Sequence, residues 1–284
     1  MAKNGVNLTM FFLFIITYCY WESHVKLADF ITTSPNPIHL IKDVFILAGQ
    51  SNMAGRGGVI ERNWDGIVPP EIQSSPGKIL RLGGDLNWED AEEPLHADID
   101  VNKTCGVGPG MAFANALIDG DPRRFPVVGL VPCAIGGSGI DEWSRGGRLY
   151  ERLVRRAAVA VERGGEIRAV LWFQGERDTI NITDAESYKG KLQRLYIDLR
   201  TDLNSPLLPV IQVALASGEG SYVEKVREAQ LGIQLPNVIT VDAKGLQLQP
   251  DGLHLSTQAQ VQVGEMMAHA YTTFRLLSLV TGIN

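Results

Sequence analysis

Five short runs of apolar residues recur along the chain, and each run is continuous rather than alternating with polar residues. This pattern is typical of strands that are covered on both faces, as in a parallel sheet. Turn-forming residues bound every run, so we predict five buried strands: Val44–Ala48, Val127–Pro132, Ala169–Phe173, Val210–Leu215 and Val238–Val241.

Segments with helical periodicity lie between these runs. In Leu149–Arg163 the apolar residues are spaced by three and four, which places them on one face of a helix. Similar patterns predict four further helices: Gly110–Ile118, Tyr188–Asp202, Tyr222–Leu231 and Ala259–Leu277. Because strands and helices alternate, we predict an α/β fold, a three-layer α/β/α sandwich with a doubly wound parallel sheet.

The N-terminal residues have a different composition from the rest. Lys3 precedes the apolar stretch Leu8–Trp21, which is shorter than the about 20 residues that a membrane span needs. This pattern predicts a signal peptide or signal anchor over residues 1–28, and a buried helix is the alternative. Residues 29–38 then form a Pro-containing linker before a domain over 39–284. We therefore expect a secreted, extracellular or cell-wall protein without a stable membrane span, or else one anchored by its N-terminal segment.

Charge and cysteine content exclude several functional classes. The formal net charge is −6 and no basic run occurs, so no nucleic-acid partner is expected. No group of Cys and His has zinc spacing, and we predict neither a metal nor a cofactor. Cys105 and Cys133 permit one disulfide but do not require it, and two free thiols are equally compatible with the sequence.

Polar residues follow four of the apolar runs or lie close behind them. Ser51 comes directly after Gly49-Gln50, where its hydroxyl and N–H would face the crevice beyond the strand ends. The alternative role for Ser51 is to cap the next helix. In the second cluster, Gly136-Gly137, backbone N–H groups could stabilise an oxyanion, although a flexible turn or a phosphate loop gives the same pattern.

The other two clusters supply an amide, a carboxylate and a possible base. Gln174 ends a strand and could donate to an oxyanion, while Glu176 could support the site from behind or pair with an arginine. Asp251 and His254 are three residues apart, which would put them on one side of a helical turn, or they are a loop Asp and a surface His. Together the clusters provide a nucleophile, a base and donors for acyl transfer.

These motifs resemble those of the SGNH (GDSL-like) hydrolases, in the sialate O-acetylesterase-like branch, and within it the plant carbohydrate esterases related to acetylxylan esterases. The residues that carry the resemblance are Gly49-Gln50-Ser51-Asn52-Met53, Ala134-Ile135-Gly136-Gly137-Ser138, Trp172-Phe173-Gln174-Gly175-Glu176 and Asp251-Gly252-Leu253-His254. The resemblance covers about residues 42–271 and implies a flavodoxin-like α/β/α fold.

The resemblance also implies roles for individual residues. Ser51 would be the nucleophile, His254 the base and Asp251 its partner. The oxyanion hole would consist of the Ser51 N–H, the Gly137 N–H and the Gln174 side chain. The implied activity is removal of O-acetyl groups from a carbohydrate such as acetylated xylan.

Two other functions remain compatible with the sequence. The first is a general carboxylesterase or lipase, and the second is a non-catalytic carbohydrate-binding protein on the same fold. Arg177 stands where the family usually has Ser, and this leaves the substrate preference open. Three tryptophans are candidate platforms for stacking of a sugar ring: Trp64, Trp88 and Trp143.

Overall fold

A computed structural model describes residues 42–282 of the chain. The predicted leader (residues 1–28) and linker (29–38) lie outside the described residues, and so does Cys19. Among residues 42–282, no helix combines the length and apolar character that crossing a membrane requires.

Strands and helices alternate over most of the described chain. The strands are β1 (Lys42–Gly49), β2 (Val59–Ile60), β3 (Asn63–Trp64), β4 (Ile79–Leu82), β5 (Trp88–Asp90), β6 (Val128–Pro132), β7 (Gly165–Phe173), β8 (Val210–Ala214) and β9 (Val238–Asp242). The α-helices are α1 (Ser51–Ala54), α2 (Gly110–Gly120), α3 (Arg148–Glu162), α4 (Ile182–Asp202), α5 (Val223–Leu231) and α6 (Thr257–Thr281).

Seven of these strands form one sheet in the order β5-β4-β6-β1-β7-β8-β9. All neighbours pair in parallel except β5, which runs antiparallel to β4 at the edge. Strand β1 lies at the centre, between β6 and β7, and Val44–Ala48 within it are fully buried. The carboxyl ends of β1, β6 and β7 therefore meet at one edge of the sheet.

Aromatic side chains attach helices to both faces of the sheet. Phe45 packs edge-on against Phe113 of α2 and Tyr271 of α6. Trp172 on β7 is in register with Ala48 of β1. Ala48 lies three residues after Phe45, so Trp172 points to the face of the sheet opposite to that of Phe45. There it packs against Tyr196 of α4. Helices thus cover both faces, which explains why the central strands are apolar without alternation.

The predicted α/β/α sandwich is confirmed, and the five predicted strands and five predicted helices all occur. The largest shift is at the start of α4, which begins six residues earlier than predicted, and β7 begins four residues earlier. Four strands are additions to the prediction: β2, β3, β4 and β5. Strands β2 and β3 have two residues each. Strands β4 and β5 are only four and three residues long, and β4 carries Arg81 while β5 carries two acidic residues, so neither forms an apolar run. Cys105 and Cys133 are buried free thiols.

Candidate active site

The turn after β1 brings Ser51 to the carboxyl edge of the sheet. Gly49 adopts a φ of 133°, and a Cβ atom there would collide with the carbonyl of Phe173 on β7. The Gln50 N–H then donates to that same carbonyl over 2.9 Å. Ser51 begins α1 directly afterwards, with its own N–H among the first of the helix, which have no intrahelical acceptor.

The loop between β9 and α6 carries His254 to the same place. The Nε2 atom of His254 lies 2.9 Å from the Oγ atom of Ser51, and its Nδ1 atom lies 2.6 Å from Oδ2 of Asp251. The structure therefore brings together the three residues that the resemblance implies as a triad. Asp251 and His254 were predicted to lie on one side of a helical turn, but they do not. Asp251 instead closes a local turn, because its Oδ1 accepts the N–H groups of Leu253 and His254.

The electrostatics of this loop favour an ionised Asp251. Partial burial alone would raise the pKa of Asp251, but hydrogen bonds from the backbone N–H groups of His254 and Leu253, and from the His254 ring, outweigh it and lower the net pKa. An ionised carboxylate accepts only, so Nδ1 of His254 carries a proton and donates it. In the neutral ring, Nε2 is then the acceptor that faces the Ser51 hydroxyl.

The glycine loop after β6 is held by a buried ion pair. The Gly136 N–H donates to Oδ2 of Asp100 over 3.1 Å, and the same oxygen lies 2.5 Å from Nη2 of Arg56. A Cβ atom on Gly136 would collide with the Arg56 guanidinium. Gly137 is exposed, and among the described residues its N–H has no acceptor. Of the two glycines, Gly137 is therefore the one with a donor available to a ligand.

The amide of Gln174 has different hydrogen-bond partners from those expected of an oxyanion donor. It is fully buried, and its Nε2 atom donates to the Ser138 carbonyl over 2.9 Å and to Asp178 over 2.5 Å. Its Oε1 atom accepts from the Tyr188 hydroxyl over 3.0 Å. An amide nitrogen has only two hydrogens, so both are used inside the protein. The amide of Gln174 braces the glycine loop instead.

Glu176 lies behind the site as a buried carboxyl group. Its Oε1 atom accepts from Nδ2 of Asn52 over 2.7 Å, and its Oε2 atom has no hydrogen-bond partner among the described residues. The Oδ1 atom of Asn52 accepts the Leu255 N–H over 3.0 Å and the Gln260 side chain over 3.3 Å. Burial raises the pKa of Glu176 to about 7.

Arg177 lies beside these groups with its guanidinium half exposed, 3.6 Å from a carboxylate oxygen of Glu219. Its backbone N–H donates to Oε1 of Gln50 over 3.3 Å. The contact with the nucleophile turn is therefore made by the main chain of Arg177, and any residue at this position could make it.

Two of the three candidate tryptophan platforms cannot stack a sugar at this site. Trp143 is fully buried, and its indole N–H donates to Ser138. Trp88 contacts Lys42, at the start of β1 and so at the opposite edge of the sheet. Of the three, only Trp64 is both partly exposed and near the turn after β1. Its position follows from its packing beside Gly106, whose N–H donates to the Gly55 carbonyl.

Several residues that complete the site were not singled out from the sequence. Arg56 and Asp100 lie in an irregular segment without periodicity, so no pattern identified them. Gln249 ties this segment to the histidine loop, since its Nε2 donates to the Arg56 carbonyl and its N–H to the His254 carbonyl. Of these residues, only Asn52 could have been identified from the sequence, because it is a polar residue directly after Ser51. Within residues 42–282 no group of three or more His, Cys, Asp or Glu side chains could hold a metal ion.

Comparison with known proteins finds one matching family and several similar chains. Residues 41–273 match the family model described as carbohydrate esterase, sialic acid-specific acetylesterase. The chain is 58% identical over 234 residues to the probable carbohydrate esterase At4g34215 of Arabidopsis thaliana, covering 80% of this chain and 89% of that protein. The crystal structure of that Arabidopsis protein superposes with a TM-score of 0.79 at 57% identity, over 82% of this chain and 98% of that one.

More distant structures share the fold. NanS matches with a TM-score of 0.62 at 18% identity, over 82% of this chain and 97% of that one. A carbohydrate acetylesterase from Xanthomonas citri matches with a TM-score of 0.59 at 20% identity, over 80% of this chain and 55% of that one. The resemblance found in the four motifs is confirmed by the family match, which covers most of the sequence. The chain therefore belongs to the sialic acid-specific acetylesterase family of carbohydrate esterases, and with it to the carboxylic ester hydrolases.

Proposed function

We propose that this esterase removes O-acetyl groups from carbohydrate through a Ser51-His254-Asp251 triad and an acyl-enzyme. The observation that carries the proposal is the 2.9 Å separation between Nε2 of His254 and Oγ of Ser51, with Asp251 on the other ring nitrogen. A base within hydrogen-bond reach of the nucleophile, itself oriented by a carboxylate, is what activation of a serine needs.

In the first step, Oγ of Ser51 attacks the acetyl carbonyl carbon while Nε2 of His254 takes the hydroxyl proton. The carbonyl oxygen becomes an oxyanion, and the N–H groups of Ser51 and Gly137 are the donors that we assign to it. The intermediate then collapses, the bond from the carbonyl carbon to the sugar oxygen breaks, and His254 returns the proton to that oxygen. The deacetylated sugar leaves, and the acetyl group stays on Ser51.

In the second step, a water molecule attacks the acetyl carbon while His254 accepts a proton from it. The bond from the carbonyl carbon to Oγ of Ser51 breaks, and the proton on His254 restores the serine hydroxyl. The ionised Asp251 stabilises the imidazolium in both steps. This sequence consumes one water and produces acetate and the free sugar hydroxyl, so its balance requires no cofactor.

An acetylated sugar polymer such as xylan is the substrate class that we propose. Family membership supports an acetylated carbohydrate, and the partly exposed Trp64 near the turn after β1 supplies an apolar surface of the kind that sugar rings contact. A general carboxylesterase would use the same triad and would differ only in its preference for the alcohol. A non-catalytic binding protein would leave the Ser51–His254 contact without a use.

Acetate release distinguishes these three functions. We expect wild type to release acetate from acetylated xylan and from 4-nitrophenyl acetate, and Ser51→Ala to release it from neither. Release from the synthetic ester alone would favour a general carboxylesterase. Binding of acetylated xylan without Ser51-dependent release from either ester would favour the binding protein.

We also propose that the protein is secreted, with residues 1–28 as its leader. The support is the sequence of Leu8–Trp21, an apolar stretch that follows Lys3. N-terminal sequencing of the protein recovered from the medium of producing cells would locate the cleavage site. Recovery only with membranes, with Met1 or residue 2 at the N-terminus, would indicate a signal anchor instead.

A further inference from the structure

We infer that Asn52 and Glu176 are positioning residues that set the distance between the nucleophile and the base; the inference rests on the proposed function. Asn52 directly follows Ser51, and Leu255 directly follows His254. The Leu255 N–H donates to Oδ1 of Asn52 over 3.0 Å inside the protein. The chain neighbours of the two reacting groups are therefore joined by one buried hydrogen bond, although they come from segments far apart in sequence.

This bond matters because it ties the histidine loop to the nucleophile's own helix. The neighbouring bonds of the loop, from the Gln249 N–H to the His254 carbonyl and from the Ser217 hydroxyl to the Leu253 carbonyl, come from other segments. Asp251 and Gly252 are exposed, and His254 itself is only partly buried. Leu255, directly after His254, is fully buried, and it is anchored by its side chain in the core and by its N–H on Asn52. Displacement of Leu255 would move His254 with it, and a shift of about 1 Å at a catalytic group can reduce a rate about 100-fold.

Glu176 determines which way the Asn52 amide points. Its Oε1 atom accepts from Nδ2 of Asn52 over 2.7 Å, so the amide oxygen must face Leu255 and Gln260. A flipped amide would place its NH₂ group against the Leu255 N–H and its oxygen against the Glu176 carboxyl. Both contacts would then be lost in a buried environment, which is costly. Asn52 and Glu176 are both almost fully buried, so water cannot replace either bond.

A pair of complementary substitutions tests this inference. Asn52→Asp replaces the amide donor with a second carboxyl group, so that two adjacent buried carboxyl groups either repel each other or take up a proton between them. We expect kcat for 4-nitrophenyl acetate to fall about 10- to 100-fold with little change in KM, because the base is displaced while the acyl group still binds. Adding Glu176→Gln returns a donor to the pair from the other side. The double variant should recover most of the lost kcat, and Glu176→Gln alone should stay within about threefold of wild type, since Oε1 of Gln also accepts from Asn52.

Tyr196→Phe provides the matched control for a purely structural role. It removes a buried hydrogen bond of similar length, 2.9 Å to Oε1 of Gln212, on the far side of the sheet from the histidine loop. We expect this variant to lower the thermal unfolding midpoint without lowering kcat. The same unfolding measurement on the Asn52 and Glu176 variants separates loss of folded protein from loss of turnover per folded molecule.

The outcomes distinguish the inference from the function on which it rests. A tenfold or larger loss of kcat in Asn52→Asp, with recovery in the double variant, supports the positioning role. Ser51-dependent activity that is unchanged in Asn52→Asp overturns the inference alone, as does a loss that Glu176→Gln does not restore. Wild-type activity that persists in Ser51→Ala overturns the proposed function and the inference with it.

Discussion

The Oγ atom of Ser51 lies 2.9 Å from Nε2 of His254, although the two residues are 203 positions apart in the chain. If this contact activates the serine, Ser51→Ala and His254→Ala should each reduce kcat on 4-nitrophenyl acetate by about 10⁴-fold or more. Because the groups act as one unit, the double variant should be no slower than either single variant. Additive losses in steady-state kinetics would contradict a shared role.

Asp251 should contribute less than the other two residues, because its side chain is 45% exposed and water can partly replace it. For Asp251→Asn we expect kcat to fall roughly 10²- to 10⁴-fold, since the amide permits the wrong ring tautomer of His254. Steady-state kinetics against a Glu228→Gln control, an exchange of the same type at an exposed position of α5, would measure this. Full activity of Asp251→Asn would remove it from the triad.

The Gln174 amide should matter for stability. Gln174→Ala removes one partner each from Asp178 and the Tyr188 hydroxyl and leaves the Ser138 carbonyl with none among the described residues, and a buried unsatisfied group costs about 1–3 kcal/mol. Denaturant unfolding should therefore show a clear loss in the free energy of unfolding. An unchanged unfolding curve together with a roughly 10²- to 10³-fold loss of kcat would instead return Gln174 to the oxyanion hole.

The space around Gly136 predicts sensitivity to a single methyl group. Gly136→Ala should lower kcat, because the new Cβ would displace the Arg56–Asp100 pair that holds the glycine loop. Gly139→Ala is the matched control in the same loop, since a Cβ there would meet nothing nearer than 3.5 Å and its φ is −82°. Equal effects of the two substitutions on kcat would argue against a role for the ion pair in positioning this loop.

The buried carboxyl of Glu176 predicts a pH-dependent term in stability. Burial raises its pKa from 4.5 to about 7, so the folded state binds more protons than the unfolded state between these values. Stability from this group is therefore present at low pH and falls as pH rises towards 7, by at most about 1.4 kcal/mol per pH unit. Glu176→Gln should remove the term, while the nearby Asp178, whose pKa is also raised by burial, titrates in both proteins. Parallel curves of unfolding free energy against pH would contradict this.

The side chain of Arg177 should be dispensable for ester cleavage. Its guanidinium is half exposed, and its backbone N–H, which Ser also has, makes the bond to Gln50. We expect Arg177→Ser to hydrolyse 4-nitrophenyl acetate within about threefold of wild type, as is usual for exposed substitutions. A larger loss, measured as kcat/KM beside wild type, would mean that the guanidinium takes part in the reaction.

Most of the fold was predictable because its central strands are buried on both faces and therefore appear as continuous apolar runs. The same property revealed the site, since Ser51 and Gln174 stand out as polar residues where such runs end. Strands β4 and β5 were not predicted because they are short, lie near the edge of the sheet and carry charged side chains. Strands of three or four residues offer too few positions for a continuous or an alternating apolar pattern to be recognised.

The supporting contacts of the site could not be predicted, for a different reason. The Arg56–Asp100 pair joins residues 44 positions apart within an irregular segment, and nothing local links them. Gln174 was correctly placed at a strand end, but its amide has a choice of partners. Only the packed positions of Ser138 and Asp178, which accept from its Nε2, determine that both of its hydrogens are used internally, and that of Tyr188 determines that its Oε1 accepts there too. Spacing along a chain can locate a side chain, but it cannot decide between competing acceptors.

The residues of the proposed triad lie on segments of unequal stability. Ser51 follows the central strand β1, whereas Asp251 and His254 lie on a loop in which Asp251 and Gly252 are exposed. Segments of a protein open independently, and exposed loops open at far lower free energy than central strands. Warming the protein would therefore release the base while the nucleophile stays in place. Such a molecule would be folded by every global measure and yet inactive, so the temperature limit for its use as a catalyst would lie below its melting temperature.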